Sequence, residues 1–242
     1  QNYKVSVGRE IPMVFLNHAQ HRKEEFGKTY NAKIFKQAAE RLEEICDVKI
    51  TDENLKKAFE VYNENRTLKR EFVKLCGDYS QTIKASDRSN VLKASHHMLK
   101  DEHNKMLKEL IEALKAMPKE ECKGPRVVTS GVITDNPALL EVLDNFNVCV
   151  VADDVAAESR GFKVDVDTSI EDPYMALADQ FARMDEDPIL YDPDIWKRPK
   201  YVVDLAVDND ADGCLVFMMT FNDTEELEYP SLKQAYEKAG IP

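Results

Sequence analysis

Three short apolar runs in the second half of the chain limit its fold more than any other feature: Arg126–Thr129 (RVVT), Val148–Ala152 (VCVVA) and Cys214–Met219 (CLVFMM). Each is strand-sized and closed by turn or polar residues, namely Ser130-Gly131, Asp153-Asp154 and Phe221-Asn222-Asp223. Around them lie stretches of helical period: Asn136–Asn145, Tyr174–Arg183, about Ile195 to Val207, and a last one ending at Ala239. Apolar strands alternating with helices predict a parallel sheet with helices on its faces. In such sheets ligands bind beyond the carboxyl ends of the strands. That rule singles out three loops: Ser130-Gly131, Asp153–Arg160 and Phe221–Glu226.

The first half is helical in period. Ile34, Ala38, Leu42 and Ile45 mark one helix over Tyr30–Ile45. Thr51-Asp52 opens a second, with Leu55, Ala58, Phe59, Tyr62, Phe72, Leu75 and Cys76 on its stripe. A third starts near Ser86-Asp87, and a fourth spans Asp101–Met117 until Pro118 stops it. These are faces for packing helix on helix. Ile11–Leu16 (IPMVFL) reads as a short strand. The expected organisation is a mainly helical region over residues 1–125 with that one strand, then a parallel α/β domain over 126–242. Gly240 is a natural helix stop, and Ile241-Pro242 would lead into a further strand. An open three-stranded sheet leaves strand groups unpaired. The expectation is therefore a segment of a longer protein, or a chain packed against another.

Of the 242 residues, 43% are hydrophobic, enough for a sizeable core, and the net charge is −12. That balance argues against nucleic acid and against anionic membrane surfaces, which need a positive footprint. It leaves room for an anionic ligand held by a local basic or N–H-rich patch. No apolar run approaches the roughly 18 residues of a membrane span, and no signal peptide is present. Cys46, Cys76, Cys122, Cys149 and Cys214 are scattered, odd in number and never in a C-x-x-C pair. They read as free thiols in a reducing, cytoplasmic compartment.

No glycine-rich phosphate loop and no zinc-type spacing occurs. His18 and His21 lack a third ligand on a common helix, and His96 and His97 are merely adjacent. A flavin or nucleotide module is therefore a weak alternative. Asp153-Asp154-Val155-Ala156-Ala157-Glu158-Ser159-Arg160 gathers acids, a hydroxyl and an arginine just past a strand. Two readings fit it: a site with Glu158, Ser159 and Arg160 as candidate catalytic residues, or an acidic helix start that complements the helix dipole. Phe221–Glu226 lies at another strand end, where Asp223 or Thr224 would cap the next helix. Ser130, Gly131, Asp153, Asp154, Phe221 and Glu225 complete the candidate ligand-side loops.

VVTSGVITDNPALLEVLD, VVADDVAAESRGF and LVFMMTFNDTEELEYPSLKQAYEKAGIP, together with LEEICDVKITDENLKKAFEVYNENRTLKREFVKLC, VLKASHHMLKDE and ILYDPDIWK, resemble the smaller, cluster-bearing type of subunit of the 2-hydroxyacyl-CoA dehydratases. The resemblance runs through nearly the whole chain. It implies flavodoxin-like or Rossmann-like α/β domains with helical additions, the present one incomplete at its C-terminal end. It implies a [4Fe–4S] cluster held by three cysteines, a related larger subunit, an ATP-dependent iron–sulfur activator and an acyl-CoA substrate such as (R)-2-hydroxyglutaryl-CoA. An electron placed on the thioester carbonyl reverses its polarity and expels the 2-hydroxyl group, which acid–base elimination cannot do.

The cluster positions depart from that pattern. The family's second cysteine follows Ala-Asp-Asp, and here Ala152-Asp153-Asp154 precede Val155. The third follows an aromatic residue, and here Phe221 precedes Asn222. The first would lie upstream of Gln1-Asn2-Tyr3. Glu158, Ser159, Arg160, Glu225, Tyr229 and Pro230 match the family pattern. Valine has no donor atom and asparagine is a poor substitute for thiolate. The resulting expectation is a member with no cofactor of its own and no dehydration activity alone. It is either a shortened, ligand-stripped form, which the abrupt ends favour, or a natural paralogue. The alternative is a domain kept for assembly, for acyl-CoA binding or as a scaffold.

Overall fold

The computed structural model describes residues 12–184 and 197–242. Its elements are α1 (Glu25–Cys46), α2 (Asp52–Asp78), α3 (Ala85–Ala94), α4 (Lys100–Lys115), β1 (Arg126–Gly131), α5 (Pro137–Asn145), β2 (Cys149–Val155), α6 (Ser159–Phe162), α7 (Pro173–Arg183), α8 (Lys197–Asp208), β3 (Gly213–Phe217) and α9 (Asp223–Ala239). They form two compact units. One gathers the described residues up to Glu60 with Val166–Arg183. The other gathers Val61–Asp165 with Met184 and the residues from Lys197 to Pro242.

In the first unit α1 lies against α7. Phe59, Val166 and Ala176 are buried there, with Leu55, Ile170 and Leu177 around them. The Phe181 ring meets Phe35 edge-on, with centroids 6.0 Å apart.

The second unit holds the sheet. Its order is β2-β1-β3 and every pairing is parallel. Helices α3 and α5 cover one face, burying Ala85, Leu140 and Leu143 against Val127 and Val150. Helices α8 and α9 cover the other, burying Val202, Ala206, Leu232 and Tyr236 against Val128 and Ala152. The stripes of α2 and α4 close a further cluster of Leu68, Phe72, Cys76, Leu107, Ile111 and Leu114 around Phe162. Helix α5 starts cleanly because Asn136 accepts the Ala138 and Leu139 N–H groups and Pro137 has no N–H to satisfy.

Two backbone features shape the strand ends. Val127 pairs with Val150 but Val128 with Ala152, so Val151 is an extra residue that bulges β2. Gly131 has φ +151°, and a Cβ there would come within 2.6 Å of the Phe217 carbonyl oxygen. Only glycine lets β1 approach β3 so closely at this end.

Helix followed by parallel sheet agrees with the sequence reading. Several details differ. Pro12–Leu16 forms no strand. An apolar run needs a ladder partner, and this one leaves Phe15 79% exposed; Ile11 lies outside the described residues. β1 continues through Ser130-Gly131 and β2 through Asp153-Asp154 to Val155, so those polar residues are strand rather than strand breakers. β3 stops at Phe217, leaving Met218 and Met219 beyond it. The short α6 follows the acidic run only at Ser159, and the described part of α8 starts at Lys197, the expected start near Ile195 lying outside the described residues.

Cys122 and Cys149 are joined in a disulfide, which corrects the expectation of five free thiols. The segment before β1 passes the start of β2, and spacing along the chain carries no sign of that approach. Cys46, Cys76 and Cys214 are free. Among the described residues, no helix is long and apolar enough to cross a membrane.

Candidate functional site

Successive residues of a strand face opposite sides of the sheet. Asp153 and Asp154 at the end of β2 therefore enter different layers, and both are buried. A buried carboxylate is tolerated only when paired and hydrogen-bonded, and each finds its own arginine. Arg88 of α3 binds Asp153 on one face. Arg198 of α8 binds Asp154 on the other, at 2.7 Å. Both arginines reach a second acid: Arg88 also binds Glu158, and Arg198 also binds Glu228 of α9. Thr134 donates its hydroxyl to Glu158 at 2.7 Å, and Arg198 reaches the Ser130 hydroxyl at 3.3 Å.

The turn after β2 is built from the same groups. One Asp153 carboxylate oxygen accepts the N–H groups of Val155 (3.1 Å) and Ser159 (3.0 Å). The Ser159 hydroxyl donates to the Asp153 carbonyl at 2.6 Å. Arg160 binds the Asp154 carboxylate at 3.1 Å, its carbonyl at 3.0 Å and the Gly131 carbonyl at 3.4 Å. Burial pushes the Asp153 carboxyl above the usual aspartate range, with Arg88 opposing the shift. Burial likewise weakens the Arg88 cation, but Glu158 and Asp153 outweigh it and hold the guanidinium firmly charged.

The structure thus brings together Ser130, Gly131, Asp153, Asp154, Glu158, Ser159 and Arg160. It leaves Phe221 and Glu225 outside this network. Phe221 is 93% exposed, at φ +66°. Glu225 is buried, with one oxygen accepting the Met219 N–H at 3.4 Å and the other without a partner among the described residues. The Asp153 carboxylate does accept the N–H of Ser159, the first residue of α6, whereas the expected cap of the other loop is corrected. Asp153 and Asp154 lie in the strand, and α9 starts at Asp223, so Asp223 and Thr224 are inside the helix. Its N-cap is Asn222, whose side chain makes no capping bond.

Arg88, Arg198, Glu228 and Thr134 escaped the sequence reading. A signal for the arginines was present: two adjacent aspartates closing an apolar strand require a cation on each face of the sheet.

A groove of about 750 Å³ opens beyond the carboxyl ends of β1 and β3, lined by Ile133, Asn136, Leu139, Phe217, Met218 and Met219. Lys93 and Asp135, paired at 2.6 Å, stand on its rim. In the other unit a groove of about 800 Å³ is lined by mixed charge, including Lys33, Lys36, Glu40, Glu43 and Asp172.

The two positions that match the family's cluster cysteines carry no thiolate here. Val155 offers no donor atom and is wholly buried opposite Gly131. Asn222 offers an amide where thiolate is needed. Burial pushes the Cys76 thiol up to about 12, and Cys76 lies at neither of those two positions. Among the described residues, no three His, Cys, Asp or Glu side chains converge as a metal site.

Residues 2–242 match the family model described as 2-hydroxyglutaryl-CoA dehydratase, D-component. The chain is 40% identical over 244 residues to (R)-2-hydroxyglutaryl-CoA dehydratase subunit beta of Acidaminococcus fermentans, covering 100% of this chain and 64% of that protein. It is 38% identical over 242 residues to the (R)-phenyllactyl-CoA dehydratase beta subunit of Clostridium sporogenes, covering 100% and 64%. It is 33% identical over 230 residues to lactoyl-CoA dehydratase subunit beta of Anaerotignum propionicum, covering 95% and 61%. The chain spans less than two thirds of the length of these relatives. The match over residues 2–242 and the fold beneath it place the chain in the 2-hydroxyglutaryl-CoA dehydratase D-component family.

Proposed function

We propose that this chain is a 2-hydroxyacyl-CoA dehydratase subunit that works without a cluster of its own, as a structural and acyl-CoA-side partner of a related larger subunit. One observation carries the reading: Val155, at the position of a cluster cysteine in the family pattern, is apolar and wholly enclosed. Asn222 repeats the loss at a second position. The surrounding charged frame is kept, with Arg88 and Arg198 each holding two buried carboxylates, which suits a subunit selected for shape. In this reading Glu158, Ser159 and Arg160 fix the turn after β2. Their polar atoms are spent on Arg88, Thr134, Asp153, Asp154 and Gly131.

The test is anaerobic incubation of the protein with iron and sulfide, followed by desalting. We expect no retained visible absorbance of a cluster. Roughly four irons per chain together with that absorbance would overturn the reading.

The groove beyond β1 and β3 favours the acyl-CoA part of the proposal. Its Ile133, Leu139, Met218 and Met219 walls suit an acyl chain, and methionine adapts to irregular apolar ligands. The names of the relatives span hydroxyglutaryl, phenyllactyl and lactoyl thioesters. (R)-2-hydroxyglutaryl-CoA is the substrate we assign to the complex.

A further inference from the structure

Lys69 of α2 is only 8% exposed. Among the described residues its ammonium has no carboxylate and no hydrogen-bond acceptor; it lies over the face of the Phe162 ring, 4.7 Å from its centre. A buried lysine without a partner is uncommon, because desolvating an ammonium is costly unless something repays it. The charged groups that act on it are cations. Burial first, then Lys100 and Arg66, lower the Lys69 ammonium to about 8. His96 is likewise held below its usual range by burial and by Lys69, Lys100, His97 and His103. The same Tyr62 ring lies beneath both Arg66, at 6.0 Å, and Lys100, at 5.4 Å, and Tyr62 is 46% exposed.

This all-basic cluster sits on a chain whose net charge is −12. Of the acids nearby in sequence, Glu64 pairs with Lys108 and Glu71 with Lys115; Asp165, paired with Arg70 at 2.7 Å, also acts on Arg66 but is not among the groups that act on Lys69. Asp101 and Glu102, in the first turn of α4, face solvent. Helix α4 itself begins at Lys100 with no side chain capping its first N–H groups. An uncapped helix start beside a cationic cluster favours an anion.

We propose that Tyr62, Arg66, Lys69 and Lys100 form a binding site for a phosphate-type oxyanion, with Lys69 at its floor and Tyr62 as a ring on which a base can lie. Such an anion supplies the counter-charge that Lys69 lacks among the described residues. The inference stands apart from the cluster question and does not depend on it.

Isothermal calorimetry on the whole protein, at ionic strength fixed with chloride, tests it with two probes. Inorganic phosphate reads the oxyanion alone. Adenosine 3′,5′-bisphosphate adds a nucleoside that can stack on Tyr62. We expect saturable binding, weakened about tenfold or more in Lys69→Met. Tighter binding of the bisphosphate assigns the phosphate to a nucleotide-bearing ligand, and equal binding assigns it to a free phosphate. In phosphate-free buffer Lys69→Met should melt higher than the natural chain, since it removes an unpaired buried cation. Lys100→Gln, at a half-buried position, should keep the fold and still weaken binding. No saturable heat with either probe, or unchanged affinity in both variants, overturns the proposal.

Discussion

Arg88 is 4% exposed, and its guanidinium holds two buried carboxylates, Asp153 and Glu158. Replacing it by methionine keeps the volume and leaves both acids unpaired in the core. Breaking a buried ion pair from one side costs about 3–5 kcal/mol, so we expect Arg88→Met to lose that much in urea unfolding. Combining it with Asp153→Asn and Glu158→Gln should recover most of the loss, because the cost arises from stranded charge rather than missing shape. Equal losses in the single and triple variants would show that packing, not charge, holds this end of β2. At this scale the sequence was half legible. Asp153, Asp154, Glu158, Ser159 and Arg160 stand together in the chain and together in the fold. Their partners Arg88 and Arg198 lie 65 and 44 residues away from the aspartates they bind, and nothing local marks so distant a pairing.

At the scale of elements, period and punctuation carried most of the information. The alternation of apolar runs and amphipathic stripes located all three strands, and Asn136-Pro137 located the start of α5. What failed was any feature that depends on a neighbour in space. Ile11–Leu16 has strand composition but Pro12–Leu16 has no ladder to join, while Asp153 and Asp154 look like a strand end yet are paired with Thr129 and Ser130 of β1. The Cys122–Cys149 bond belongs to the same class. It spans 27 residues, from the segment before β1 to the first residue of β2, and encloses β1 and α5. By the chain-entropy account a loop of that length contributes about 3–4 kcal/mol. Dithiothreitol should lower the unfolding midpoint accordingly. Cys122→Ser should show the lowered midpoint from the start and no further response to reductant. A midpoint insensitive to dithiothreitol in the natural chain would mean that the bond does not form in solution.

For the molecule as a whole, the question is whether the frame of a dehydratase subunit stands on its own once thiolates are gone from the cluster positions. Val155 answers it most directly, since it ends β2 opposite Gly131 and has no exposed surface. Val155→Cys is slightly smaller than the natural residue, so the variant should fold at a cost of about 1 kcal/mol. Its new thiol should stay closed to a maleimide reagent while the exposed Cys46 reacts at once. Labelling at position 155 should appear only as urea unfolds the chain, in step with loss of helical circular dichroism. Reaction at a rate matching Cys46 would mean that the end of β2 opens freely in the native state. The enclosure of Val155 would then be absent in solution, and the proposed cluster-free reading would lose its support.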